Sequence, residues 1–145
     1  MQLSEHFTLE EMCASQAAAR ARLDNRPDVP EVKNLARVAE VLEQVRTLVG
    51  KPINISSGYR SPAVNKAVGG SRSSAHMLGL AADITVSGMP SKALAVLIRD
   101  SDIEFDQLIY EGTWVHIGLA EGKPRRQVLT AIFSTNGVTY SQGLP

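Results

Sequence analysis

The sequence predicts an α+β fold in which a small antiparallel sheet packs with N-terminal helices. Two observations carry that prediction. Apolar residues recur at helical spacing through the first half of the chain, and short runs with strand character fill most of the second half. No repeat, low-complexity segment or linker divides the 145 residues, so 1–145 reads as one domain with room for a single core.

Thr8 followed three residues later by Glu11 is a capping box, and predicts a helix from residue 8 to about residue 20. Residues 23–30 hold turn formers and two prolines and read as a loop, with Pro30 suited to a first helical turn. Val32, Leu35, Ala39, Leu42, Val45 and Val49 then form one apolar stripe, on a helix stopped by Gly50 and Pro52. A strand over 53–56, a tight loop over 57–62 and a short helix over 63–68, closed by Gly69 and Gly70, follow. Residues 81–86 read as a compact apolar strand and 91–99 as a second amphipathic helix. Three strands are expected over 106–111, 114–118 and 127–133, and the last twelve residues as a loosely held tail.

Composition excludes several classes of function. Fifteen basic and fifteen acidic residues cancel, so the chain lacks the electrostatic footprint of a nucleic-acid binder or of a protein drawn to acidic membranes. The single cysteine, Cys13, excludes an internal disulfide. The N-terminus lacks a signal-peptide pattern, and no apolar run approaches the roughly 20 residues of a membrane span, so synthesis in the cytoplasm without membrane insertion is expected.

The chemistry concentrates in few residues. Only three histidines occur; His76 lies in Ser74-x-His76-x-x-Gly79-x-Ala81-x-Asp83 and His116 in Trp114-Val115-His116. Imidazole nitrogens with a carboxylate oxygen are ligands that hold Zn²⁺ while leaving a position open for water, whereas structural zinc is usually closed by cysteines. Each residue alone has a plainer reading: His76 as a loop polar group, Asp83 as a solvated carboxylate, His116 as a satisfied strand histidine. An aspartate inside an apolar strand is nevertheless costly to bury without a partner or a cation. If Gly112 and Thr113 form a two-residue turn, Glu111 pairs with Trp114 and Ile109 with His116, making Glu111 a diagonal neighbour of His116. A carboxylate there suits a general base for hydrolysis; in the plainer reading it is a hairpin-edge charge in water. Arg60, in Ser57-Gly58-Tyr59-Arg60-Ser61, is either solvated or a bidentate grip for a substrate carboxylate or carbonyl oxygen. His6 has no partner motif and reads as an exposed residue at a helix start.

Taken together, these three segments resemble the zinc peptidases of the M15 family, in order and over about residues 30–134. That family includes D-Ala-D-Ala carboxypeptidases and dipeptidases and phage L-alanyl-D-glutamate endopeptidases, and the hedgehog signalling domain is related. The N-terminal run from Leu3 to Met12 also looks like the lead-in of phage and prophage members. The resemblance implies a hedgehog/D-Ala-D-Ala peptidase-like fold and one Zn²⁺ on His76, Asp83 and His116. It further implies that Arg60 contacts the substrate or developing oxyanion, and that Ser74 helps to bind substrate. Many members carry the base three residues before the last histidine, where this chain has Thr113. Tyr110-Glu111 instead resembles the pair that hedgehog domains place a similar distance before their last ligand, which favours Glu111. Asp106 is the fallback, although its even position places it on the other face of the strand. Trp114, sharing a face with His116, lines the cleft or belongs to the core.

The implied function is zinc-dependent hydrolysis of a peptide bond in the peptidoglycan stem peptide, by carboxypeptidase or endolysin-type action. Two other readings are a non-catalytic zinc-containing wall-binding module of a phage particle and a cytosolic D-Ala-D-Ala dipeptidase. A murein hydrolase without a leader would depend on a holin or a virion for delivery to the wall.

Overall fold

The computed structural model describes residues 1–145. Its first helices are short. Thr8 caps α1 (Leu9–Cys13), its Oγ1 accepting from the Glu11 amide at 3.2 Å while Glu11 accepts from the Thr8 amide at 2.9 Å. The single helix expected over 8–20 is broken: Ala14 is extended, and Ser15 caps a separate helix, α2 (Gln16–Ala21), by accepting from the Ala18 amide. A serine hydroxyl that offers the backbone a local partner restarts a helix as readily as it continues one.

The long helix α3 (Val29–Val49) ends at Gly50, whose φ of 70° gives the left-handed stop. Leu35, Val38, Ala39, Leu42 and Val45 form its buried stripe, while Val32 and Val49 are only half-buried. Then come β1 (Asn54–Ser57), α4 (Pro62–Ala67), a single 3-10 turn over Ala75–Leu78, β2 (Ala81–Thr85) and α5 (Ser91–Arg99). The chain closes with β3 (Gln107–Tyr110), β4 (Val115–Gly118), β5 (Gln127–Ser134) and β6 (Gly137–Gln142).

The six strands form one mixed sheet in the order β1-β2-β4-β3-β5-β6. Helices and strands segregate as an α+β fold requires, but the sheet is not wholly antiparallel, because β3 and β5 run parallel. The β3–β4 hairpin pairs Gln107 with Gly118, so β4 finishes where β3 begins. The loop 119–126 then carries the chain to the free edge of β3, where β5 must start in the same direction. Arg126 fastens that loop through bonds to the carbonyls of Arg99, Ser101 and Ile103, with its guanidinium 4.6 Å from the Phe105 ring centroid.

The expected loose tail is instead largely a strand. Ser134 and Gly137 pair across Thr135 and Asn136, and β6 returns along β5 as far as Gln142 opposite Leu129. Asn136 and Gly137 are turn formers; solvent on both sides of β6 hides the alternation that would have marked a strand.

The sheet separates two jobs. One face carries Ala82, Ile84, Leu108, Val115 and Ile117 against α3 and α5, with Leu35, Leu42, Leu94 and Ile98 wholly buried between the layers. The other face presents Asp83 and His116, the alternate residues of β2 and β4.

Candidate metal centre and catalytic cleft

His76, Asp83 and His116 meet. His76 stands on the 3-10 turn, where Ser74 Oγ accepts from its amide at 3.2 Å, and Gly79 at φ 71° turns the chain into β2. A Cβ on Gly79 would lie 2.6 Å from the Glu31 carbonyl oxygen, so only glycine lets the turn pass against α3. Asp83 pairs directly with His116 across β2 and β4. His76 Nε2 lies 3.3 Å and His116 Nδ1 3.1 Å from the same oxygen, Asp83 Oδ1. The two rings stand edge to face with centroids 5.1 Å apart, and one ligand atom from each residue falls within 4.8 Å of the others.

The hydrogen bonding of His76 suits this cluster to a metal ion. His76 Nδ1 is 2.7 Å from the Gly58 carbonyl oxygen, which can only accept, so Nδ1 carries the proton. In the neutral ring Nε2 is then a lone pair aimed at a carboxylate oxygen. That contact repels unless a proton or a metal ion lies between the two atoms. His76 is 2% and His116 9% exposed, so water cannot substitute freely. Two nitrogens, one carboxylate oxygen, no thiolate and a carbonyl behind the first histidine match the donor set and outer support of a catalytic zinc site. Burial opposes ionisation of Asp83, but its close contacts with the His116 and His76 rings outweigh it and hold the carboxyl well below the usual range.

The Arg60 loop is positioned by residues the sequence did not mark. Asn25 Nδ2 donates to the carbonyls of Cys13 and Tyr59, and its Oδ1 accepts from the Ser61 amide at 2.7 Å. The Tyr59 amide donates to the Met12 carbonyl at 2.7 Å. A Cβ on Gly58 would sit 2.2 Å from that same oxygen, which makes residue 58 glycine and brings its carbonyl under His76. No local pattern in the sequence announces these contacts. Arg60 Nε is buried without a partner, and Nη2 reaches Ser74 Oγ only at 3.5 Å, leaving donor capacity facing the cleft. Burial lowers the Arg60 pKa, while Asp83 and Glu111 oppose the shift; an arginine remains a cation there.

The β3–β4 turn places Glu111 as its register requires. Ile109 pairs with His116, and the Glu111 amide donates to the Trp114 carbonyl at 3.0 Å. Glu111 Oε2 accepts from the Trp114 indole Nε1, and Oε1 has no partner within the protein. Burial, then the charge of Asp83, push the Glu111 carboxyl above its ordinary range, against His116, Trp114 and Arg60. Trp114 lines the cleft and packs on Phe133, so it is a wall rather than part of the core. Asp106 also borders the cleft but is bonded through both oxygens to Arg125, at 2.9 to 3.0 Å. That pair removes it as a free base. His6 lies away from this centre, its Nδ1 2.7 Å from Glu43.

Arg60, Ser74, His76, Asp83, Glu111, Trp114 and His116 thus border one cleft of about 560 Å³. The family model for Peptidase M15 matches residues 5–118, which include all seven of them. The chain belongs to the peptidase M15 family. It is therefore a metallopeptidase, of a family that depends on zinc, and its His-Asp-His cluster is the group able to bind the ion. A comparison with curated protein sequences found no match. The M15 match stops at Gly118, so β5 and β6 lie beyond the matched region.

Proposed function

We propose that this M15 chain, with a hedgehog/D-Ala-D-Ala peptidase-like arrangement of helices and sheet, hydrolyses a peptide bond of the peptidoglycan stem peptide. The observation that carries the reading is the convergence of His76 Nε2, His116 Nδ1 and Asp83 Oδ1 beside a carboxylate, Glu111, that keeps one oxygen unpartnered. His76, Asp83 and His116 would hold one Zn²⁺. When bound, the ion supplies Lewis acidity, polarising a carbonyl and lowering the pKa of water from 15.7 to about 7.

The chain's own residues do the rest. Trp114 fixes Glu111 Oε2, so Oε1 is oriented to accept the proton of the attacking water and return it to the leaving amine. Arg60, which lines the cleft, offers its guanidinium to the oxygen on which negative charge develops, a role that a partly buried cation performs better than a solvated one. Ser74, touching Arg60 and capping the His76 turn, couples substrate binding to ligand position. Such an activity on the wall fits a lysis enzyme delivered through a holin or a virion.

The test is to incubate the zinc-loaded protein with purified peptidoglycan and identify new termini by mass spectrometry. New amino and carboxyl termini within the stem are expected, and their positions define the bond. Intact stems, with free D-Ala-D-Ala cleaved instead, would show a dipeptidase; zinc binding without cleavage of either would show a binding module.

A further inference from the structure

The row of the sheet that carries Asp83 and His116 continues past them. Register sets Ile109 beside His116, Leu129 beside Ile109 and Gln142 beside Leu129. In the next row, Tyr140 pairs with Ala131, one residue pair beyond the Tyr110–Thr130 match and so level with Glu111. Ile109, Leu129 and Ala131 form an apolar cluster of their own, separate from the main core and on the cleft face. Tyr140 flanks this cluster through its pairing with Ala131, is 53% exposed, and borders the same cleft as Glu111 and Arg60. The 69–75 segment and Arg60 add polar lining to the same cleft, with Ser71, Ser73 and Ser74.

Distances decide what the apolar end can take. Strands lie about 4.8 Å apart, so three spacings from β4 to β6 span roughly 14 Å, the length of about four extended residues. A substrate that ended beside the scissile bond would leave this floor uncovered.

Resting on the peptidase reading above, we propose that the β5–β6 hairpin is a substrate-binding wall that makes the cleft an endopeptidase cleft. It takes a peptide continuing at least two residues past the scissile bond. A small apolar side chain lies over Ile109 and Leu129 against the ring of Tyr140, and the charged part of the substrate faces Arg60 and Ser74. Tyr140 is then a specificity-determining residue supplied by a segment outside the family match.

Trp114, the only tryptophan, reports occupancy because it sits in this cleft against Phe133, with ring centroids 6.4 Å apart. The experiment titrates zinc-loaded Glu111→Gln protein, slowed in cleavage, with the stem tetrapeptide L-Ala-γ-D-Glu-L-Lys-D-Ala and with the dipeptides D-Ala-D-Ala and L-Ala-γ-D-Glu. The tetrapeptide should bind about tenfold tighter than either dipeptide, the scale of one aromatic contact with its buried area. Adding Tyr140→Ala, or Tyr140→Thr to retain strand preference, should erase most of that preference, and Tyr140→Phe should keep it. Equal binding of long and short peptides, or an undiminished preference in folded Tyr140→Ala and Tyr140→Thr proteins, overturns the wall. Cleavage by the unsubstituted zinc-loaded chain is scored separately. A tetrapeptide bound with the length preference, with the stems of purified peptidoglycan left intact, overturns the peptidase reading and leaves the wall standing. Cleavage of those stems without length preference does the reverse, and no tetrapeptide binding overturns the wall.

Discussion

Individual atoms set the chemistry of the cleft. Glu111→Gln keeps an acceptor for the Trp114 indole but cannot take a proton, so kcat should fall by about 10²–10⁴ with zinc content unchanged. Steady-state kinetics with metal analysis checks this, and full activity in the variant would remove Glu111 as the base. Cys13 shows the opposite use of burial. Its thiol is pushed up to about 11, mainly by desolvation and secondarily by Glu10, so at pH 8 it is almost wholly protonated. Iodoacetamide should therefore label the native protein far more slowly than the urea-unfolded chain, as mass spectrometry would read. The three candidate ligands were legible as residue types because histidine occurs only three times and an aspartate inside an apolar strand is costly to bury alone. The Gly58 carbonyl that sets the His76 tautomer was not legible, since a backbone oxygen leaves no trace in a sequence.

At the scale of elements, loops decide where the side chains point. Gly58→Ala would drive a Cβ to 2.2 Å from the Met12 carbonyl oxygen, and backbone on both sides must shift. Overpacking of this kind costs about 1–3 kcal/mol. Displacing the carbonyl behind His76 should also weaken zinc binding by roughly 10–100-fold, the range for lost outer-sphere partners. Urea melts and competition with a zinc chelator measure the two effects independently. The β3–β4 hairpin was readable because its short turn and period of two leave one register that buries Val115 and Ile117. The parallel β3–β5 pair was not readable, because no local pattern states which edge of β3 an eight-residue connection will reach. Ser15 misled in the other direction, since a cap and a tolerated helical serine look alike until the neighbouring chain is placed.

For the molecule as a whole, metal and pH act through linkage. A ligand that binds only the folded state at 100 times its Kd adds about 2.7 kcal/mol, a rise in Tm on the order of 10 °C for a chain of this size. Differential scanning fluorimetry with zinc and then with a chelator should show that rise and its reversal; His116→Ala should abolish both. Acid acts at the Asp106–Arg125 clamp, which holds the β4–β5 loop against the start of β3. Arg125 hydrogen bonds, chiefly, lower the Asp106 pKa. The folded pKa therefore lies below the unfolded value of about 3.9, and the clamp's stability is present above pH 4 and lost as pH falls through the folded pKa. Asp106→Asn should lower stability near neutrality, with its melting curve converging on that of the parent protein as pH falls through the folded pKa.

The α+β class, the stripe of α3, the three candidate ligands and the carboxylate beside them could be read from the residues alone, because periodicity, turn chemistry and rare residue types are local properties. Long-range packing set the rest: both imidazoles bring a ring nitrogen to one oxygen of Asp83, and Asp106 is occupied by Arg125. It also decided that the C-terminal residues return as a strand which carries Tyr140 beside an apolar cleft floor. Those facts depend on which chain segments become neighbours, and that choice is made by burying α3 and α5 against one face of the sheet, leaving the other face for chemistry.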